Sequence, residues 1–524
     1  MESSEYDYII IGGGSAGCVL ANRLSADPQT RVLLLESGPT YRDHLLGVPL
    51  ASYLQVFRHA WNYSTVAQPG CNNREVSLPC GRVMGGGSSV NGMLYTRGEP
   101  HCYDGWAAQG NPGWSYREVL PYFRRSESYE AGATPFHGGD GTIHVSKVRF
   151  RSAYDDALLA GFQDLGLPYN PDLCGESQFG AGWLDVTQHK GWRCSASRFV
   201  SEVSSRKNLT VRVSAHVGRI ELSQGRATGV RYQYEGKPQQ ARAAREVLLA
   251  AGAIASPKLL MLSGIGQANH LRSLGIEVEH HLPGVGENLQ DHLRAPLYYR
   301  RKVDFAPVPQ QLLGKGKHML EFLATGSGLM SSPIIAAVIA FAKILPHGAG
   351  VDCQFTPTIW GTDIENRYLD CVNLQPCLVG TRSVGRLRLA GTDPLAAPRI
   401  DPGYLTHRDD VAVLLGAFKL ARELARTSGL QALLGEEVKP GIQMTSDAEL
   451  ENYIRQTVET CFHPVGTCRM GQDDMAVVGP DLRVRGLDGL RVIDASIMPS
   501  IVNGNTNAPT LMIAEKGADL VLAG

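Results

Sequence analysis

Near its N-terminus the chain carries glycines at a spacing that can hold a phosphate, Gly12-x-Gly14-x-x-Gly17. Gly12 permits a tight turn, Gly14 lets backbone approach a pyrophosphate, and Gly17 lets the following segment pack closely. With Ser15 and Ala16 the turn opens a helix whose free N–H groups and positive end favour an anion. About 20 residues beyond the last glycine, Glu36 and its neighbour Ser37 end a second apolar run, where a carboxylate can accept from a ribose hydroxyl. A carboxylate there disfavours a 2′-phosphate, and so NADP. A second cluster, Gly81 to Met93, puts three glycines before Ser88-Ser89. It cannot be a stable helix interior, but it can offer successive N–H groups as an anion nest. The third candidate is His463 in Phe462-His463-Pro464-Val465-Gly466. An imidazole with an ordinary pKa of about 6.5 can take a proton near neutral pH. Pro464 fixes the backbone beside it and Gly466 allows close approach. One histidine among 15 is, taken alone, more often structural than catalytic.

These residues need a frame to hold them. Tyr8 to Ile11 read as a buried strand, Cys18 to Leu24 as an amphipathic helix and Arg31 to Leu35 as a second strand. Strand, glycine turn, helix, strand and acidic residue together make a dinucleotide site the better reading. Further along, Trp106 to Phe123 reads as a helix with a capped start at Pro112 to Tyr116, and Phe150 to Ser197 as loop-rich. Leu209–Val213, Arg219–Leu222 and Gly229–Tyr234 read as hairpin strands, and Val247 to Gly252 as a buried strand followed by a helix. A long helix is expected over Asp409 to Thr427. The chain closes with a buried strand, Gly489 to Asp494, and a helix, Ala508 to Leu522. The first and last strands of the nucleotide fold therefore lie at opposite ends of the chain. The expected class is α/β: a Rossmann-like domain over 1–150, 195–300 and 458–524, and an inserted domain over 151–194 and 301–457.

Composition narrows the function. At 524 residues, two or more domains are expected. Lys plus Arg number 50 against 51 Asp plus Glu, so no net field points to nucleic acid or an anionic membrane. The 11 cysteines contain no C-x-x-C and no zinc-site spacing, which predicts reduced thiols and no metal site. The longest apolar run, Pro333 to Ala342, is half of the roughly 20 residues a membrane span needs. A cytoplasmic protein without a transmembrane segment is expected.

Several blocks resemble the glucose–methanol–choline (GMC) flavin oxidoreductases, especially their bacterial alcohol- and choline-dehydrogenase-like members. They are Gly12 to Glu36, Gly81 to Asn91, and Gly252 to Gly266. Phe462 to Gly471, and Asp494 to Pro499 with Asn505 to Thr510, complete the match. The resemblance implies FAD rather than NAD, and an inserted substrate domain built on an antiparallel sheet flanked by helices. It implies that Gly12, Gly14, Ser15, Ala16, Gly17, Glu36 and Ser37 hold the ADP half, with Val217 at the adenine. Trp61, Arg82, Val83, Gly87, Ser88, Asn91, Gly92, Met93 and Leu94 would serve the flavin. Asp494 and Ala495 would lie beside the ribityl and pyrophosphate, with Thr506 and Asn507 near the flavin. Some relatives attach FAD through a histidine where this chain has Val90, so non-covalent FAD is expected.

The resemblance also implies oxidation of an alcohol, with the hydride passing to flavin N5 and the proton to His463. Asn505 would hydrogen-bond the substrate oxygen, although Asn503-Gly504-Asn505 also suits a plain turn. Ile335, Ile339, Phe341 and Phe462 are expected as substrate walls. The run Ile334 to Phe341 holds no carboxylate for choline's ammonium, so an apolar primary alcohol is expected. Electrons would pass to a quinone or artificial acceptor. An oxidase making H2O2 from O2 is the alternative, and a non-oxidative hydroxynitrile lyase or fatty-acid photodecarboxylase a further one. The alcohol, the acceptor and the oligomeric state stay open.

Overall fold

The apolar segment Ser4–Ile11 forms the centre of a parallel sheet, paired on one side with Val32–Leu35 and on the other with Lys237–Leu249. Strands buried on both faces read as continuous apolar runs rather than as alternation, and all four residues of Val32–Leu35 are buried. The computed structural model describes residues 4–41, 44–306, 316–362 and 368–524. Leu490–Val492 joins the same sheet beside Val247–Leu249, so the two ends of the chain meet in one α/β layer.

The expectation of three hairpin strands holds for two of them. His216–Ser223, Arg226–Tyr234 and Lys237–Leu249 are antiparallel. They turn at Gln224-Gly225 and Glu235-Gly236, both with positive φ, as tight hairpins require. Leu209–Arg212 instead pairs parallel with Val32–Leu35 at the far edge of the sheet. A short alternating run carries no information about its neighbour's direction.

Two other expectations need correction. The helix read over Trp106 to Phe123 is two helices, Pro100–Ala108 and Tyr116–Ser126. Ser115 starts the second with a capping box, Glu118 reaching back to the Ser115 N–H at 3.0 Å. The stretch read as loop-rich holds the helix Ala153–Asp164 and the strands Gly180–Trp183 and Asp185–His189. That helix has its own capping box from Ser152 and Asp155, a signal visible in the sequence.

A second, antiparallel sheet of six strands runs Glu459–Thr460, Leu293–Arg294, Pro376–Leu378, Cys353–Phe355, Val338–Ala342, Gly180–Trp183. The helices Arg408–Ala425 and Ala153–Asp164 pack on one face. Val338, Ala340 and Ala342 point into that helical core. The alternate residues Ile339 and Phe341 point the other way, into a cluster with Met93 and Leu94. The sheet thus lies against the glycine-rich segment of the nucleotide layer. The C-terminal helix Asn507–Leu522 packs on Ser15–Leu24, clamped by the buried Glu515, which pairs with Arg23 and Arg125, each at 2.7 Å.

Candidate active site

The glycine turn is built as its spacing suggests. Gly12 has φ +101°, and a Cβ there would lie 2.6 Å from the Ala250 carbonyl oxygen. A Cβ on Gly17 would lie 1.8 Å from the Gly12 carbonyl, so helix and strand touch backbone to backbone. At Gly14 the added carbon meets nothing nearer than Gly86 Cα at 3.9 Å, and at Gly87 nothing within 4 Å. The two glycine clusters meet, the Gly85 N–H donating to the Gly13 carbonyl at 2.7 Å. An open groove is left beside Gly14 and Gly87.

Glu36 ends its strand with both carboxylate oxygens taken by backbone, Gly13 N–H and Gly38 N–H each at 2.7 Å. Burial raises its pKa against those two bonds. Ser37 is half-buried beside it. Trp61 carries the Arg82 guanidinium 4.1 Å above its ring and meets His216 edge-on, next to Val217. Arg82 Nε is buried with no hydrogen-bond partner among the described residues. Asp494 accepts from Gly252 N–H (2.8 Å), Ser256 Oγ (2.6 Å) and Ser496 Oγ (2.5 Å), while Ala495 stays half-buried. Ser15 Oγ donates to Asn507 at 2.8 Å, tying the glycine turn to the C-terminal helix that Thr506 precedes. An open glycine cradle, an orphaned guanidinium nitrogen and a dinucleotide sheet fit FAD.

The segment Val83 to Leu94 is locked in place. Val83 and Val90 are buried with Leu46. The Ser88 hydroxyl donates to the Gly85 carbonyl at 2.6 Å and accepts from Ala196 N–H at 2.9 Å. Asn91 Oδ1 accepts from Arg193 Nη1 at 2.7 Å and from Met93 N–H at 3.0 Å. Arg193, which sequence reasoning missed, also donates to the Asn91 and Ser88 carbonyls. Of the expected substrate walls, Ile339 and Phe341 are closed into the core with Met93 and Leu94. Ile335, half-buried, reaches within 3.3 Å of a Cβ position on Gly92. Phe462 is 43% exposed under the Arg294 guanidinium, 5.3 Å from its ring. Period-2 alternation turns Ile339 and Phe341 to the packed side, whereas Ile335 and Phe462 keep accessible surface.

His463 and Asn505, 42 residues apart, meet at 3.1 Å between Nε2 and Nδ2. The Asn505 N–H donates to Thr96 Oγ at 2.8 Å, and Thr96 donates back to Asn505 Oδ1 at 3.1 Å. Gln354 Nε2 adds a longer bond to Oδ1 at 3.3 Å. Behind His463 lies a buried carboxylate, Asp291, and a buried imidazole, His292. Asp291 Oδ1 accepts from the His463 N–H (2.8 Å) and the His292 N–H (2.9 Å), and its Oδ2 from Tyr404 (2.6 Å) and Thr460 (2.5 Å). Burial raises Asp291 to about 6 against these four bonds. Burial, and then the positive Arg294, pull His463 down to about 3. The imidazole is therefore neutral across the physiological range. Asp291, His292, Thr96 and Gln354 carried no local motif and were missed. A cavity of about 230 Å³ beyond Asn503, lined by His101, His347 and Arg382, is a separate recess.

Residues 6–294 match the N-terminal part and residues 381–514 the C-terminal part of the GMC oxidoreductase family. The chain is 40% identical over 538 residues to the mitochondrial choline dehydrogenase of Mus musculus, covering 99% of this chain and 89% of that protein. It is 42% identical over 535 residues to oxygen-dependent choline dehydrogenase 1 of Chromohalobacter salexigens, covering 99% and 95%. An FAD-dependent oxidoreductase from Chaetomium thermophilum has the same fold, with a TM-score of 0.91 at 28% identity and 99% of each chain covered.

Proposed function

We propose, from the premise that this chain belongs to the GMC oxidoreductase family and is an FAD-dependent alcohol oxidoreductase, that it converts a primary alcohol to an aldehyde with His463 as base. The observation that carries this reading is the pair of His463 Nε2 and Asn505 Nδ2 at 3.1 Å. A hydroxyl that sits beside the pair and replaces their direct bond accepts from the Asn505 amide and donates to the imidazole lone pair. As the proton moves to Nε2, negative charge grows on the oxygen, where the amide already points. Thr96 and Gln354 hold that amide, so little reorganisation is needed. Asn505 cannot act as a base, which leaves proton uptake to His463 alone. Gly12 to Gly17, Gly87 and Arg82 would hold FAD, which when bound would supply the acceptor for the hydride of the carbinol carbon.

Non-covalent attachment is the reading Val90 supports: its alkyl side chain, packed against Leu46 and Val83, excludes the histidine bond used by some relatives. Acid precipitation should release free FAD. The 11 free thiols suit a reducing compartment such as the cytoplasm, and no helix among the described residues is long and apolar enough to cross a membrane.

The relatives' names point to choline, and the surroundings of the pair point elsewhere. Phe462 and Ile335 are apolar, and the Asp291 carboxylate behind His463 is buried and taken by four hydrogen bonds. On the Phe462 side stands the positive Arg294, whose neighbour Glu459 is already bound to it at 2.9 Å. An uncharged alcohol fits this wall better than a quaternary ammonium. The test is an anaerobic titration of the flavin absorbance with primary alcohols and choline, followed by air. Bleaching by uncharged alcohols with slow reoxidation supports a dehydrogenase that uses a quinone-type acceptor. Fast reoxidation would make it an oxidase. Bleaching by choline alone would overturn the substrate reading.

A further inference from the structure

We infer that His292 is a positioning residue that fixes the tautomer of His463, holding the proton on Nδ1 so that Nε2 stays unprotonated and can act as base. The inference rests on the assignment of His463 as that base.

Thr96 Oγ accepts the Asn505 N–H and turns its own proton to Asn505 Oδ1, which also accepts from Gln354 Nε2. The other amide atom, facing His463 Nε2, is therefore the NH2 group, a donor only. His463 Nε2 must accept, so the neutral ring carries its proton on Nδ1. That nitrogen faces His292 Nδ1 at 3.0 Å, with the rings at 89° and their centroids 5.2 Å apart. Two Nδ1 atoms at this distance share one proton. His463 supplies it, so His292 Nδ1 is the acceptor and His292 carries its own proton on Nε2. His292 Nε2 is buried with no hydrogen-bond partner among the described residues. Burial and the neighbouring His463 hold the ring well below the ordinary histidine range against the backbone carbonyls of Val379 and Val502, so it stays neutral.

The two rings are held to each other by the main chain. Asp291 Oδ1 takes both histidine N–H groups, and the His292 carbonyl accepts from Cys461 N–H at 2.8 Å. His292 is fully buried. The groups facing the pair are Asp291, taken by two backbone N–H groups and by the Tyr404 and Thr460 hydroxyls; Arg294, on the Phe462 side; and Cys461. None offers Nδ1 of His463 an alternative acceptor among the described contacts. A neutral imidazole does this without the pull of a carboxylate. A carboxylate partner would stabilise the imidazolium and raise the base's pKa, whereas His292 orients the proton and leaves the base weakly basic.

The experiment uses the FAD-loaded full chain. His292→Leu removes the acceptor, and His292→Asn can restore one, since its Oδ1 can occupy the place of Nδ1. In stopped-flow flavin reduction, His292→Leu should keep FAD and substrate KM but slow the limiting rate roughly 100-fold, as loss of an orienting partner does. His292→Asn should recover at least about a third of that loss on a logarithmic scale. Equal rates for His292→Leu and the parent, or no recovery in His292→Asn, would overturn the inference. Should His292→Leu fail to fold, nitrogen-15 NMR of histidine-labelled parent protein decides, with His463→Ala identifying the signal. An unprotonated Nε2 on His463 is expected, and a protonated Nε2 refutes. His463→Ala also separates the two readings. If that variant reduces its flavin as fast as the parent, the base assignment fails; if only His292→Leu does, the base stands and the positioning role fails.

Discussion

The buried ion network behind Thr96 makes stability depend on pH in one direction. Arg97, directly after the residue that holds Asn505, pairs with Glu127 at 2.8 Å. Glu127 binds His137 Nδ1 at 3.0 Å, and Asp172 binds its Nε2 at 3.1 Å. Burial alone would lower His137, but the bonds to Asp172 and Glu127 outweigh it and raise the ring to about 9. The native state therefore binds a proton more tightly than the unfolded chain, whose histidine titrates near 6.5. That stabilisation is complete below pH 6.5 and is lost as pH rises through 9. Each tenfold gain in proton affinity is worth about 1.4 kcal/mol, so the whole effect amounts to about 3 kcal/mol. For a chain of 524 residues the unfolding entropy is about 1 kcal/mol/K, so the loss should appear as a fall of about 3 °C in Tm. His137→Gln keeps a polar side chain but cannot bind the extra proton. Tm of parent and variant holoenzyme, measured from pH 6 to 9.5 at one scan rate, should differ most at pH 6 and converge by about 3 °C toward pH 9.5. A gap that is constant with pH would refute the protonated, doubly paired His137.

Three further outcomes follow from the same geometry. His463→Ala should retain FAD but slow flavin reduction by about 10²–10⁴-fold in stopped flow, the range for a lost general base; a rate near the parent's would remove His463 from that role. Because His463 is held down to about 3, it stays unprotonated well below the ordinary histidine range. The acid limb of the reduction rate should then fall below pH 5, and a midpoint near 6.5 would contradict the burial argument. Gly17→Ala forces a Cβ to within 1.8 Å of the Gly12 carbonyl. The clash should outweigh the roughly 1 kcal/mol that alanine gains in a helix, lowering the denaturant midpoint and FAD occupancy together, both read on purified protein.

What the sequence determined by itself was local. The glycine spacing from 12 to 17, the apolar strands beside it, Glu36 at its distance, and the C-terminal strand and helix could all be read because turns and strands express themselves within a few residues. His463 beside Pro464 stood out for the same reason. The tertiary structure decided everything that depends on segments meeting. The parallel pairing of Leu209–Arg212 and the inward turn of Ile339 and Phe341 depend on which neighbour covers which face, and alternation is silent on that. The company of the base was also beyond reach: His292 lies 171 residues before His463, and Thr96 lies 409 before Asn505. A buried polar residue leaves no periodic mark, because its hydrogen-bond partner arrives from another part of the chain only when the sheets close on each other.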